Sequence, residues 1–195
     1  LNKNKGILLI SGPNAGGKSV ALKAMGLMQL MLQFGLLIPC DENSKVILFE
    51  QIFADLGDKQ SIEDELSTYS SHLLLMKTFL QRANSKTLFL IDEFGTGTDP
   101  RLGAAMAEAL FIHLADTGAY GVLTTHYSNL KKVAEQDDRF LNAAMVFNED
   151  NLSPTYQLLT GKPGSSYTFD IAEKIGLNKA LIEEAKTYVD YTDLK

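Results

Sequence analysis

An apolar run at residues 6–11, GILLIS, breaks without a linker into GPNAGGKS at residues 12–19, and an amphipathic stretch follows as far as residue 34. That order constrains the chain more than any other feature. A run with no polar alternation suits a strand buried on both faces, as in parallel sheets covered by helices. The octapeptide matches G-x-x-x-x-G-K-[ST], a phosphate-binding loop when it stands between such a strand and a helix N-terminus. Its glycines let successive backbone N–H groups turn toward one point, and the helix end adds positive potential there. The spacing predicts that Lys18 reaches the β- and γ-phosphates of a nucleotide and that the Ser19 hydroxyl can ligate Mg²⁺. The bland alternative, a glycine-rich turn with an N-cap serine, does not account for the agreement of strand, motif and helix.

Periodicity organises the rest. Over residues 17–34 the apolar positions Val20, Ala21, Ala24, Leu27, Met28, Met31 and Leu32 recur at three and four, and Gly35 is a C-terminal stop. Residues 46–54 read as a second strand, 70–83 as a helix, 87–91 as a third buried strand and 121–125 as a fourth. Asp99 and Pro100 fit the N-cap and first position of a helix running to about residue 116. Residues 143–147 and 155–159 suit an antiparallel hairpin at the sheet edge, and two short helices, 168–175 and 179–189, close the chain as a helix-turn-helix. Strands alternating with helices predict an α/β fold with a mostly parallel sheet, antiparallel edge strands and chemistry at the strand carboxyl ends.

Two such ends carry polar groups. LFLIDE at residues 88–93 places Asp92 and Glu93 after a buried strand, where acids need a reason to be. Beside a phosphate loop, Asp92 suits the Mg²⁺ shell and Glu93, one residue further on, suits activation of the attacking water. His126 in TTH also ends a buried strand and could donate to the γ-phosphate or that water; by itself it reads more readily as a structural histidine. His72 and His113 lack companions at ligand spacing, and one cysteine, Cys40, makes a zinc site improbable. On spacing alone Ser67 and Thr68 are N-cap residues of the following helix, and 95–99 is a turn and a cap.

Composition narrows the partners. With 18 Lys+Arg against 24 Asp+Glu the formal charge is −6, and no basic cluster supplies the usual footprint of a DNA-binding surface. No apolar stretch has spanning length, so the chain reads as cytoplasmic, and its start at Leu1, without a methionine and close to a strong motif, suggests a piece of a larger protein.

Four ordered motifs, GPNAGGKS at 12–19, STYSSH at 67–72, LIDEFGTGTDP at 90–100 and TTHY at 124–127, together resemble the ATPase domain of the MutS family, a relative of the ABC-type P-loop ATPases. The resemblance runs to about Val189 and makes 1–160 the ATPase core and 161–195 a helical dimerisation segment of the same domain. It implies ATP and Mg²⁺ as ligands, with Gly12, Pro13, Asn14, Ala15, Gly16, Gly17, Lys18, Ser19 and Val20 around the nucleotide. Ser19 and Asp92 become the metal-site pair, Glu93 the catalytic base, and Lys18 and His126 its companions on the γ-phosphate. Ser67 matches the family's signature serine, which would contact the γ-phosphate held by the other subunit of a homodimer, and Thr98 and Asp99 would lie in the loop that communicates across it. Residues 53–72 look more like the MutS-II branch than the mismatch-recognition branch. Ala15 and Ser19 stand where that branch commonly shows threonines, changes that leave the chemistry intact. DNA, mismatched or branched, or the ribosome would be engaged through domains absent from this fragment, and the adenine-stacking aromatic is expected upstream of the phosphate loop.

Two rivals remain on the residues. One is a nucleotide-binding and dimerisation module without turnover. The other is a small-molecule kinase sharing the phosphate loop; the scattered Arg82, Arg101 and Arg139 form no arginine-rich lid, and the Asp92-Glu93 pair suits water better than an acceptor substrate.

Overall fold

A computed structural model describes residues 5–13, 16–57, 65–148, 153–164 and 167–189. The chain runs β1 (Ile7–Ser11), α1 (Lys18–Gln33), β2 (Gln51–Asp55), α2 (Glu65–Arg82), β3 (Thr87–Ile91), α3 (Pro100–Asp116), β4 (Tyr120–Thr124), α4 (Ser128–Gln136), β5 (Phe140–Asn148), β6 (Ser153–Thr160), α5 (Thr168–Lys174) and α6 (Lys179–Thr187). One six-stranded sheet has the order β2-β3-β4-β1-β5-β6. Its first five strands are mutually parallel, and only β6 runs antiparallel, against β5. The expected edge hairpin is therefore real, but its first strand is also a parallel neighbour of β1, with Ile7 facing Phe140 and Ser11 facing Ala144.

β1, β3 and β4 are buried at every position, as their unbroken apolar runs require. Each strand shows alternate residues to opposite faces, so the sheet has two cores. On one face Ile7, Leu9, Phe89, Ile91 and Leu123 pack under α2, α3 and α4 with Met76, Phe79, Phe111, Leu114 and Leu130. On the other Leu8, Ile10, Leu88, Leu90 and Val122 pack under α1 with Leu22.

The structure corrects the sequence reading at four places. The strand expected at 46–54 begins only at Gln51; Val46, Ile47 and Leu48 are exposed, and Gln29 of α1 donates to the Ile47 carbonyl, holding that segment off the sheet. Helix α1 buries Leu22 and Gly26, while Val20 and Leu27 face outward. The abundance of apolar side chains around α1 hides its inward face, which is chosen by the close approach of Gly26 to Leu90. Helix α2 begins at Glu65, so Ser67 and Thr68 lie in its first turn and do not precede it as caps. Helix α4 adds an element to those expected: Leu130, Val133 and Ala134 fall on one face of its nine residues and pack onto the core beside α3, a stripe too short to stand out between two strands.

Other local signals hold. Asp99 caps α3, its Oδ1 accepting from the Arg101 and Leu102 backbone N–H groups at 3.0 and 3.1 Å, with Pro100 following. Gly35 ends α1 at φ 73°, and the Leu36 N–H returns to the Met31 carbonyl. At the C-terminus α5 and α6 are separated by Gly176 at φ 84°, and Asn178 caps α6 through the Ala180 N–H.

Candidate nucleotide site

Strands β3, β4 and β1 are neighbours in the sheet, and their carboxyl ends carry Asp92-Glu93, Thr124-Thr125-His126 and Ser11-Gly12. Parallel order thus brings three sequence-distant segments to one rim.

The loop after β1 closes by a Gly16 N–H bond to the Pro13 carbonyl and enters α1 at Gly17, whose φ of 88° is left-handed. A Cβ at Gly17 would also fall 3.0 Å from the Tyr156 ring on β6, so both backbone and packing demand glycine there. The Lys18 ammonium is buried and donates to the carbonyls of Gly12 and Pro13 at 2.8 and 3.1 Å. Desolvation lowers its pKa to about 8, against the opposing pull of Glu93 and Asp92. Ser19 is half-buried in the first turn of α1, and Val20 points outward. Asn14 and Ala15 lie outside the described residues, as does the side chain of Ser67.

Asp92 is buried, and its Oδ1 accepts from the Thr124 hydroxyl at 2.5 Å. The same hydroxyl oxygen accepts from the Glu93 N–H at 2.8 Å. One threonine thereby positions both acids. Glu93 is exposed and adopts φ 49°, a left-handed conformation that costs about 1–3 kcal/mol in a non-glycine residue. The conformation is held by the Thr124 bond, by the Phe94 N–H on the Thr124 carbonyl, by the Thr96 N–H on the Glu93 carbonyl and by burial of the Phe94 ring. The side chain so placed is exposed at the rim, one residue beyond the buried Asp92.

His126 is exposed beside these groups. Partial desolvation, then the Lys18 charge, hold its imidazole pKa below the ordinary value, against the opposing pull of Glu93 and Asp92. Its neighbours fasten it to the loop that follows Glu93: Thr125 donates to the Phe94 carbonyl at 3.4 Å and Tyr127 to the Gly95 carbonyl at 3.0 Å.

Sequence reasoning misses a second pair. Asp55, at the buried end of β2, lies 2.5 Å from His72 Nδ1 on α2, and its carbonyl accepts the Asp92 N–H at 2.8 Å. The companion that His72 lacks at ligand spacing in the sequence is supplied across the fold. The pair lines a small open cleft together with Tyr69, Asp92, Glu93 and Thr96. His113, by contrast, is exposed, 3.5 Å from Asp116.

Among known families, residues 8–193 match MutS domain V. The chain belongs to the MutS family. Domain V is that family's ATPase domain, and the mixed α/β sheet described above fits it. Similar proteins include endonuclease MutS2 of Caldicellulosiruptor saccharolyticus, 47% identical over 189 residues that cover 97% of this chain and 24% of the relative. The endonuclease MutS2 of Clostridium perfringens strain SM101 is 47% identical over 195 residues, 100% of this chain and 25% of its own, and that of Pediococcus pentosaceus 49% over 183 residues, 94% and 23%. The chain spans about a quarter of the length of these curated relatives. No described helix of this MutS-family domain is long and apolar enough to cross a membrane.

Proposed function

We propose that this domain binds ATP with Mg²⁺ and hydrolyses it in a site completed by a second copy of the chain, within a protein of the MutS-II branch. The observation that carries the reading is the convergence of Lys18, Asp92, Glu93 and His126 at the ends of three adjacent parallel strands, close enough for Lys18 to feel both acids and for His126 to feel Lys18 and both acids. We take the core to be a P-loop fold of the ABC type spanning 1–160, with 161–195 as its dimerisation segment.

The residues fit the ligands. Lys18 is a buried ammonium held by loop carbonyls, and an anionic phosphate is the group that would offset its desolvation. Ser19 and Asp92 would hold the Mg²⁺ ion, and it would neutralise charge developing on the phosphates. Gly12, Pro13, Asn14, Ala15, Gly16, Gly17 and Val20 shape the phosphate cradle. Glu93, exposed at the rim, orients and deprotonates the attacking water, while His126 presents an N–H to the γ-phosphate. Ser67 of a second copy completes the site from outside. Mismatched or branched DNA, or the ribosome, is engaged by the rest of such a protein, acting in the cytoplasm.

The test is the steady-state ATPase rate with Mg²⁺ over a wide range of protein concentration. A rate per molecule that climbs with concentration and then saturates is the expected result. A constant nonzero rate from a species that sediments as a monomer would exclude completion by a second copy, and ATP binding without phosphate release would leave a binding module only.

Thr124→Val tests the positioning of the acids with a nearly isosteric change. Losing the hydroxyl unties Asp92 and leaves the Glu93 N–H unpaired, so turnover should fall about 10–100-fold. The melting temperature, followed in parallel, should drop by only a few degrees, the equivalent of about 1–3 kcal/mol.

A further inference from the structure

Lys131 sits on α4 at the same rim, yet none of the roles above uses it. Its ammonium has no carboxylate within ion-pair distance among the described residues; it donates to the Gly164 carbonyl at 2.7 Å. Burial lowers its pKa, and its charge depresses those of Lys18 and His126, so it lies within electrostatic reach of both. A half-buried lysine spent on a backbone carbonyl needs a reason, since it gives up part of its solvation without gaining a counter-ion.

The reason lies in what Gly164 touches. Its N–H donates to the fully buried Ser11 hydroxyl at 2.7 Å, and Ser11 passes the bond on to the Ala143 carbonyl at 3.3 Å. A Cβ on Gly164 would lie 2.7 Å from the Ser11 carbonyl oxygen and 2.8 Å from the Gly12 nitrogen, so this turn rests directly on the first peptide of the phosphate loop. The base of the turn is anchored as well, the Gly161 N–H bonding to the Asn142 carbonyl while the Asn142 side chain donates to the Lys131 carbonyl at 2.9 Å. Lys131 thus clamps the segment leading to α5 and α6 onto the point where β1 becomes the phosphate loop.

We propose that Lys131 is a positioning residue for the phosphate loop, acting through Gly164 and Ser11, and that it makes ATP affinity depend on the seating of the 161–164 turn. The proposal rests on the nucleotide reading of the loop but not on hydrolysis. It is read as the Kd of a fluorescent ATP analogue, and as KM and kcat, on the full chain. Lys131→Met should weaken binding and raise KM about tenfold with kcat within about twofold, because loop placement is disturbed while the acids on β3 are not. Lys131→Arg, which retains a donor for the Gly164 carbonyl, should recover most of the affinity. Gly164→Ala, which forces the turn off the Ser11-Gly12 peptide, should match Lys131→Met, and the double variant should be no worse than the weaker single one, since both break one connection.

Additive effects, failure of arginine to rescue, or an unchanged Kd in Lys131→Met would overturn the proposal. A wild-type chain that binds the analogue but releases no phosphate would remove the hydrolytic reading and leave the Kd comparison intact. A wild-type chain that does not bind it at all would remove both.

Discussion

Glu93→Gln is expected to lower ATP turnover about 10²–10⁴-fold while leaving nucleotide binding within a fewfold of wild type. The amide keeps the volume and hydrogen-bonding reach of the carboxylate but cannot accept a proton from water. The backbone that aims this side chain is fixed by groups the substitution does not touch, namely the Thr124 hydroxyl on the Glu93 N–H and the Thr96 N–H on the Glu93 carbonyl. In the proposed site, binding is assigned to the Lys18 loop, which follows another strand. A turnover assay paired with equilibrium binding separates the two quantities. A variant that retained more than about a tenth of wild-type turnover would show that another group activates the water.

Phe111→Ala is expected to destabilise the fold by about 3–5 kcal/mol, close to the whole stability of many domains. Phe111 is fully buried on α3, stacks on Phe140 with ring centroids 4.0 Å apart and meets Phe94 at 6.4 Å. The three rings join α3 to β5 and to the residue immediately after Glu93. A cavity here weakens the core under α2, α3 and α4 and loosens the floor of the acid loop. Denaturant unfolding measures the first effect. The second appears as turnover lost by molecules that are still folded, at temperatures well below the variant's Tm. Phe111→Leu, which fills most of the space, should recover the larger part of both. A loss under about 1.5 kcal/mol would mean that the surrounding helices close over the gap.

These two residues differ in how visible they are along the chain. The place of Glu93 is legible because LFLIDE is short and local: an unbroken apolar run that stops at two acids puts them at the end of a buried strand, where the structure has them. The strands β1, β3 and β4 are legible for a similar reason, as their unbroken apolar runs admit little else. Thr124 is not, although it holds both acids, because a threonine ending a strand carries no local signal of what lies on the neighbouring strand. His72 has no companion at ligand spacing in the sequence, and its partner Asp55 arrives through the pairing of β2 with β3 and the packing of α2. The inward face of α1 escapes a periodicity argument because hydrophobic residues occur all round the helix, leaving the contact of Gly26 with Leu90 to decide.

What the sequence determined by itself is the chemistry of short segments: a glycine loop that must bend, a lysine and serine at a helix start, two acids ending a strand, an aspartate that caps α3. Their outcomes follow from dihedral preferences, hydrogen-bonding capacity and burial within a few residues, which are properties of neighbours in the chain. What only the tertiary structure decided is which strand ends lie side by side, which hydroxyl holds which acid, and that Gly164 bonds both to a lysine on α4 and to the serine that ends β1. Those depend on strand order and helix seating, free energies summed over the whole core, and no window of the sequence contains them.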